Sequence, residues 1–410
     1  MKITHIHIER FRGFQNEDFE VGSLLTAIAG QNGTQKSTLL GIITQTFTLK
    51  TEDSMRVEKP LCGGSYISAF KDKFRLSPTF DKPKGHEWTI SFDAGMDDFT
   101  VESIKRTGDP NVRFWKKGAR QEGDGYISFP TIFLSLKRLV PVAEEAKIIT
   151  DDTLLTQEEL NEFKQLHNKI LIAQTPISSA TTITSKNKQS IGVSTELYDW
   201  NQNSMGQDNL GKIILALFSF KRLHDKYPRQ YKGGILAIDE MDATMYPASQ
   251  VELLKVLRKY ASKLNLQILF TTHSMSLLKA MDDLVQEVTK KEETANQAKI
   301  LYLKKVDDKI AIKQGVNFKG IQLDLNVVAE GNNRKKNRIT AYTEDKENIL
   351  FVKAILKSKA FVLDFVDVTL PCSTLMELVT KRVPAFIYPY SIVIFCLLYT
   401  SPSPRDRSVS

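Results

Sequence analysis

Between Ile28 and Leu40 the chain reads IAGQNGTQKSTLL, and no other stretch limits its fold as tightly. The apolar run Leu24 to Ala29 reads as a buried strand, Gly30 ends it, a glycine-bearing turn follows, and Lys36-Ser37-Thr38 opens an apolar helical pattern. Strand, turn and helix in that order are the context of a phosphate-binding loop. Backbone N–H groups of the turn and the positive end of the helix converge on one concavity, where phosphate oxygens can replace water. Gly30, Gln31, Asn32, Gly33, Thr34, Gln35, Lys36, Ser37 and Thr38 are therefore the expected nucleotide-binding residues. Lys36 would reach the β- and γ-phosphates of ATP, and the Ser37 hydroxyl would ligate Mg²⁺. The customary spacing is GxxxxGK[ST], and Gln35 stands where the second glycine belongs. If that position needs φ > 0, a side chain there costs about 1–2 kcal/mol. The plainer alternative is a glycine-rich turn capped by Ser and Thr with no ligand, and the downstream pattern weighs against it.

Far downstream, the apolar run Ile235 to Ile238 leads directly into Asp239 and Glu240. A buried strand that delivers two carboxylates in this way can give one to the Mg²⁺ shell and the next to the water that attacks the γ-phosphate. Asp239 is thus the expected metal residue beside Ser37, and Glu240 the expected general base. A second apolar run, Leu266 to Phe270, ends in Thr271, Thr272 and His273. His273 is either a satisfied structural histidine or a γ-phosphate sensor, and its place after the Asp-Glu strand favours the sensor. Between the phosphate loop and these strands lies Asn203-Ser204-Met205-Gly206-Gln207, which could simply be a helix N-terminus capped by Ser204.

Taken together, these residues resemble the ABC-type ATPases. There an LSGGQ-like segment of one subunit closes over the ATP held by the other, which implies that Ser204, Gly206 and Gln207 contact nucleotide in trans in a head-to-head homodimer. IHIERFRGFQNEDF before the loop and DEMDATMYPASQ after the strand are similar to OLD-family and Septu-type defence ATPases, which share this head with RecF and the structural-maintenance-of-chromosomes proteins. The resemblance covers roughly residues 1 to 320. Its departures are Gln35, and Tyr246 where relatives often carry His before Pro247.

The expected fold class is α/β: an ABC-type P-loop ATPase head at about residues 1–330, with an antiparallel β section near 67–133 and a helical and loop insertion near 142–190. Within that insertion Ser178 to Ser190 is polar and reads as a loop. Lys137 and Arg138 stand at the polar end of a buried-strand candidate, Pro130 to Val142. No sustained heptads occur, which argues against a long coiled-coil arm. A basic run, Arg334 to Arg338, lies at 331–338 and is either a phosphate-binding patch or a charged linker.

From Arg338 the pattern restarts as strand, helix, strand, helix, strand and ends at SIVIF. This βαβαβ run (339–395) resembles the first part of a Toprim domain, the nuclease module of OLD proteins. Glu344 matches the Toprim glutamate, which implies divalent-metal binding or acid/base work in DNA cleavage; a helix-capping acid is the alternative. The paired aspartates of that family do not follow the third strand. Residues 396–410 instead look like translated sequencing adaptor, so no nuclease activity is expected of the chain as it stands.

Composition adds bounds. Apolar residues make up 41% and charged residues 25% of 410, as in ordinary globular proteins. The net charge of +8 permits nucleic-acid contact without requiring it, and DNA is an expected partner only through the resemblance. Cys62, Cys372 and Cys396 lie too far apart in sequence to outline a disulfide framework or a zinc site. The N-terminus lacks the apolar core of a signal peptide, and Phe386 to Tyr399 is too short to span a bilayer and contains Pro389. A cytoplasmic protein with no membrane segment is expected. Three functions remain open: an OLD-like ATPase whose ATP state gates DNA cutting in phage defence, a Septu-like or repair-type ATPase with a separate nuclease partner, and a nucleotide-binding scaffold with little turnover. Homodimers, or a higher oligomer built from them, fit the first two.

Overall fold

The apolar runs pair side by side. The computed structural model describes residues 1–410 except 51, 68–69, 78, 94, 106–111, 119–124, 140–147, 152–153, 186–188, 331–338, 367, 387–390 and 395–410. The 331–338 linker and the 396–410 tail therefore lie outside the described residues. Two compact units are present, Met1–Leu323 and Asp324–Ser410.

In the first unit, strands Leu25–Gly30, Leu266–Thr272, Gly234–Ile238 and Thr131–Leu134 run parallel in that spatial order, and Ala298–Val306 pairs parallel on the other side of Leu25–Gly30. Strand Lys309–Lys313 closes that edge as an antiparallel hairpin. Leu25–Gly30, Gly234–Ile238 and Leu266–Thr272 are buried at every position, as strands covered on both faces must be. The mostly parallel sheet and its helices bear out the α/β class.

A second, antiparallel sheet has the order Phe14–Glu20, Ile3–Phe11, Glu87–Phe92, Phe99–Lys105, Val112–Lys116. The β section is thus not self-contained. It extends the N-terminal hairpin, with Ile8 opposite Trp88, and shares one core with the helix after the phosphate loop through Phe11, Leu39, Ile43, Trp88 and Phe114. Arg12 grips Asp81 with two bonds (3.0 and 2.9 Å), and His86 Nε2 meets the same carboxylate at 3.1 Å. Burial alone would raise the Asp81 pKa, but Arg12, the Ser77 N–H and His86 more than reverse this and bring it to about 2. That anchor fixes the Arg12-Gly13 turn, whose Gly13 carbonyl accepts from Ile310 N–H at 2.8 Å.

The insertion departs from the sequence reading. Helix Gln157–Leu171 forms with a Thr156/Glu159 capping box, but the described parts of Ser178 to Ser190 are mostly strand where a loop was expected. Ser179–Thr184 pairs antiparallel with Gln189–Ser194 and with Ile149–Asp151. The segment is polar, yet its threonines and Ile183 are β-branched and suit a pleated surface, and Ile183, Ile191 and Val193 are buried.

The second unit holds a parallel three-stranded sheet in the order Leu363–Phe365, Ile339–Thr343, Ser391–Ile394, with helices Lys346–Leu356 and Cys372–Thr380 in the crossovers. Among the described residues, no helix is long and apolar enough to cross a membrane.

Candidate functional site

Parallel register brings three strand ends to one edge. Thr272 pairs with Ala29 and Ile238 with Phe270, so the loop after Gly30, the Asp239-Glu240 pair and His273 emerge together at the carboxyl end of the sheet, where open α/β sheets place ligands.

The loop folds tightly between strand Leu25–Gly30 and helix Lys36–Thr44. Gly30 has φ +154°, and a Cβ there would lie 2.5 Å from the Leu303 carbonyl oxygen and 2.8 Å from Thr34 Oγ1, so only glycine fits. Thr34 Oγ1 donates to Gln31 C=O at 2.8 Å, which tightens the turn around Asn32 and Gly33. Gln35 occupies the left-handed region (φ 62°, ψ 33°) at the N-cap of helix Lys36–Thr44 and makes no side-chain cap bond. The first helical bond runs from Leu39 N–H to Gln35 C=O at 3.0 Å, so the amides of Lys36, Ser37 and Thr38 precede the helical ladder and can serve a ligand. Lys36 Nζ donates to the carbonyls of Gly30 (3.0 Å) and Gln31 (2.9 Å). Burial lowers the Lys36 pKa, and Glu240, Asp239 and Asp242 oppose that shift.

Ser37 and Asp239 meet across 202 positions of sequence, with Ser37 Oγ donating to Asp239 Oδ1 at 2.9 Å. Thr271 Oγ1 donates to the same oxygen at 2.7 Å and accepts from Glu240 N–H at 2.6 Å. Two hard oxygen donors face each other here, one hydroxyl and one carboxylate. That set suits Mg²⁺, which takes few protein ligands and completes its shell with phosphate and water. Glu240 adopts φ 50°, which turns it off the strand direction immediately after Asp239. His273 is exposed, and its N–H donates to Asp242 Oδ1 at 3.3 Å. Partial desolvation lowers its pKa first and the Lys36 charge second, against the three carboxylates, so the neutral ring is favoured.

Not every expected residue joins this edge. Ser204 caps helix Met205–Lys226 in a reciprocal box with Gln207, and Gln207 Nε2 also donates to Tyr198 OH at 2.7 Å. Gly206 presses on the turn after Glu240: a Cβ there would come within 2.5 Å of the Thr244 carbonyl oxygen. The segment thus lies beside the carboxylate turn, and its side chains bond within their own neighbourhood rather than to residues 30–38 of the same chain. In the second unit, Glu344 accepts from Cys372 N–H at 3.4 Å, at the start of helix Cys372–Thr380, while Asp345 caps helix Lys346–Leu356.

Several residues at the edge carried no role in the sequence reading. Arg138 was placed at a polar strand end, yet it is 2% exposed and donates to Glu240 C=O. Asn209, Thr271 and Gln250 complete the framework, with Gln250 Nε2 donating to the carbonyls of Asp242 and Met245. Only the polar residues Thr271 and Thr272 at the end of strand Leu266–Thr272 hinted at this.

Residues 134–278 match the AAA ATPase domain family. No curated protein matches the chain significantly. Solved structures similar to it include the SMC head domain from Thermotoga maritima (14% identity, 77% of this chain and 100% of that one, TM-score 0.42). Others are the SmcHead bound to the C-winged helix domain of ScpA (13%, 78% and 100%, 0.46) and the Smc head domain with an extended coiled coil bound to the C-terminal domain of ScpA derived from Pyrococcus furiosus (13%, 80% and 99%, 0.42). The matched span holds Arg138, Asn209, Asp239, Glu240 and His273 but not the phosphate loop, which reaches the same edge through strand pairing. The chain is thus a mixed α/β fold in which residues 134–278 are similar to an AAA ATPase domain.

Proposed function

We propose that this chain binds ATP with Mg²⁺ in the residue 30–38 cradle and hydrolyses it. The observation that carries the reading is the Ser37–Asp239 contact, which joins the loop to the carboxylate strand at the position a nucleotide-bound cation needs. Gly30 to Gly33 and the amides of the following helix hold the phosphates, and Lys36 exchanges its loop carbonyls for phosphate oxygens. Mg²⁺, when bound, neutralises phosphate charge. Glu240 accepts a proton from the attacking water, and neutral His273 senses the γ-phosphate position. Ser204, Gly206 and Gln207 act in trans on a second copy, so ATP closes a homodimer.

ATP-gated DNA cleavage in phage defence is the wider role we infer, from resemblance alone. A separate nuclease partner is favoured over cutting by Glu344. Its carboxylate already receives the Cys372 N–H at a helix start, where a negative charge has a structural use.

The test is Mg²⁺-dependent ATP hydrolysis by the full chain beside Glu240→Gln. We expect turnover in the wild type and a loss of roughly 10²-fold or more in the variant, with ATP still bound. ATP bound without turnover in the wild type would leave a nucleotide-responsive scaffold. DNA cleavage by the chain alone with Mg²⁺, lost in Glu344→Gln, would return the nuclease step to the second unit.

A further inference from the structure

The carboxylate turn is gripped from behind by a buried cation that nothing in the site described so far explains. Arg138 is 2% exposed and lies in the short turn Leu136–Leu139 that follows the edge strand Thr131–Leu134. Its guanidinium donates four bonds: Nε to Asn209 Oδ1 at 2.7 Å, Nη1 to the carbonyls of Leu134 (3.3 Å) and Ser135 (3.1 Å), and Nη2 to the Glu240 carbonyl at 2.8 Å. All four acceptors are neutral. The nearby Asp239, Glu240 and Asp242 carboxylates attract the guanidinium, but burial outweighs them and lowers its pKa, so an apolar side chain would fill the space with less penalty if filling were its whole purpose. What the guanidinium adds is direction, because its planar fork bonds several fixed acceptors at once.

The acceptor that matters is Glu240. Its backbone is held in the left-handed region, where a non-glycine residue persists only if its surroundings over-determine it. Those surroundings are three bonds: the N–H donates to Thr271 Oγ1, and the C=O accepts from Arg138 at 2.8 Å and, within its own turn, from the Ala243 N–H at 3.1 Å, so Arg138 is the one that ties the turn to the rest of the fold. Asn209, fully buried, holds the other side of the guanidinium and donates through Nδ2 to the Ala243 carbonyl at 3.0 Å. Asn209 sits one turn into helix Met205–Lys226, whose Gly206 abuts the Thr244 carbonyl. The start of that helix, Arg138 and the 240–244 turn are thereby riveted together.

We propose that Arg138, locked by Asn209, is the positioning residue that aims the Glu240 carboxylate. This rests on the reading of Glu240 as the general base. A displacement at the start of helix Met205–Lys226 is carried through Asn209 and Arg138 to the backbone of Glu240, so the base responds to whatever touches Ser204 and Gly206.

The experiment compares the full-length wild type, Glu240→Gln, Arg138→Lys and Asn209→Ala. Steady-state ATP hydrolysis is measured alongside the dissociation constant of a fluorescent ATP analogue, at a temperature where circular dichroism shows each protein folded. Lysine keeps the charge but cannot span Asn209 and the Glu240 carbonyl with one planar group. Each of these two variants is expected to lose at least tenfold in kcat while KM and analogue affinity stay within twofold, a split that general loosening of the fold would not give. If Arg138→Lys does not fold, Asn209→Ala decides, since it leaves the Arg138–Glu240 bond chemically possible. A folded variant with kcat within twofold of wild type overturns the proposal, as does a kcat loss accompanied by more than fivefold weaker binding. Wild-type turnover abolished by Glu240→Gln separates these failures from failure of the ATPase reading, which is marked by a wild type without turnover and takes the proposal with it.

Discussion

Gln35 and Glu240 both hold left-handed backbone, with φ of 62° and 50°, and the site treats them differently. Glu240 is bonded at its N–H and its carbonyl, whereas the Gln35 side chain makes no cap bond and its Oε1 is buried without a partner. Gln35→Gly should therefore relieve strain and raise unfolding stability by about 1 kcal/mol, read from urea midpoints. The same variant should speed turnover, because backbone can then approach the phosphates where Cβ now stands. Thr271 is the reverse case, since one fully buried hydroxyl serves both Asp239 and Glu240. Thr271→Val preserves shape but leaves the Glu240 N–H unpaired and takes from Asp239 Oδ1 one of its two donors, so a stability loss of about 1–3 kcal/mol is expected, together with a fall in kcat. Wild-type stability and kcat in Thr271→Val would count against that linkage.

The strand carrying the loop and the two that follow it were legible because no charge interrupts them and apolar residues dominate: LTAIAG, GILAI and LQILFTT fit burial on both faces. The hairpin at Ser179–Thr184 and Gln189–Ser194 was not, since serine and threonine look like loop until pairing shows which face is covered. Arg138 and Asn209 were hidden for another reason. They are 71 positions apart, and no local pattern marks a cation that will bond a carbonyl 102 residues further along the chain from itself. Helix starts are better signalled, and Gly206 shows the cost of disturbing one. Gly206→Ala drives a methyl into the Thr244 carbonyl and should lose about 1–3 kcal/mol, checked by thermal melting. Helix Gln157–Leu171 carries a pH-sensitive contact. His167 stacks on Phe163 at 5.8 Å between ring centroids, and burial lowers its pKa to about 4. Between about pH 6.5 and 4 the unfolded chain takes up a proton that the folded one refuses, so stability falls as pH drops through that window, by about 3 kcal/mol at the lower end. His167→Leu should flatten this part of the profile relative to wild type in urea titrations at pH 7 and 4.5.

At the scale of the whole chain, the candidate nucleotide site lies entirely within Met1–Leu323. Saturating ATP and Mg²⁺ should therefore raise the calorimetric transition of that unit, by about 2.7 kcal/mol at a hundredfold excess over Kd, and leave the transition of Asp324–Ser410 where it was. A rise in both would show that the second unit contributes to binding. The spatial order of the strands has a further result, in time rather than in space. Leu25–Gly30 is made near the beginning of synthesis, but its two neighbours are Leu266–Thr272 and Ala298–Val306, and Gln267 must also bond Ile3 at both its N–H and its carbonyl. While the ribosome adds the intervening residues, six positions destined for burial wait without a sheet to enter, and the loop after them has no edge to stand on. Nascent chains arrested before Leu266 should leave that segment open to protease and to chaperones, and protection should arrive only once the strand around Phe270 has cleared the exit tunnel.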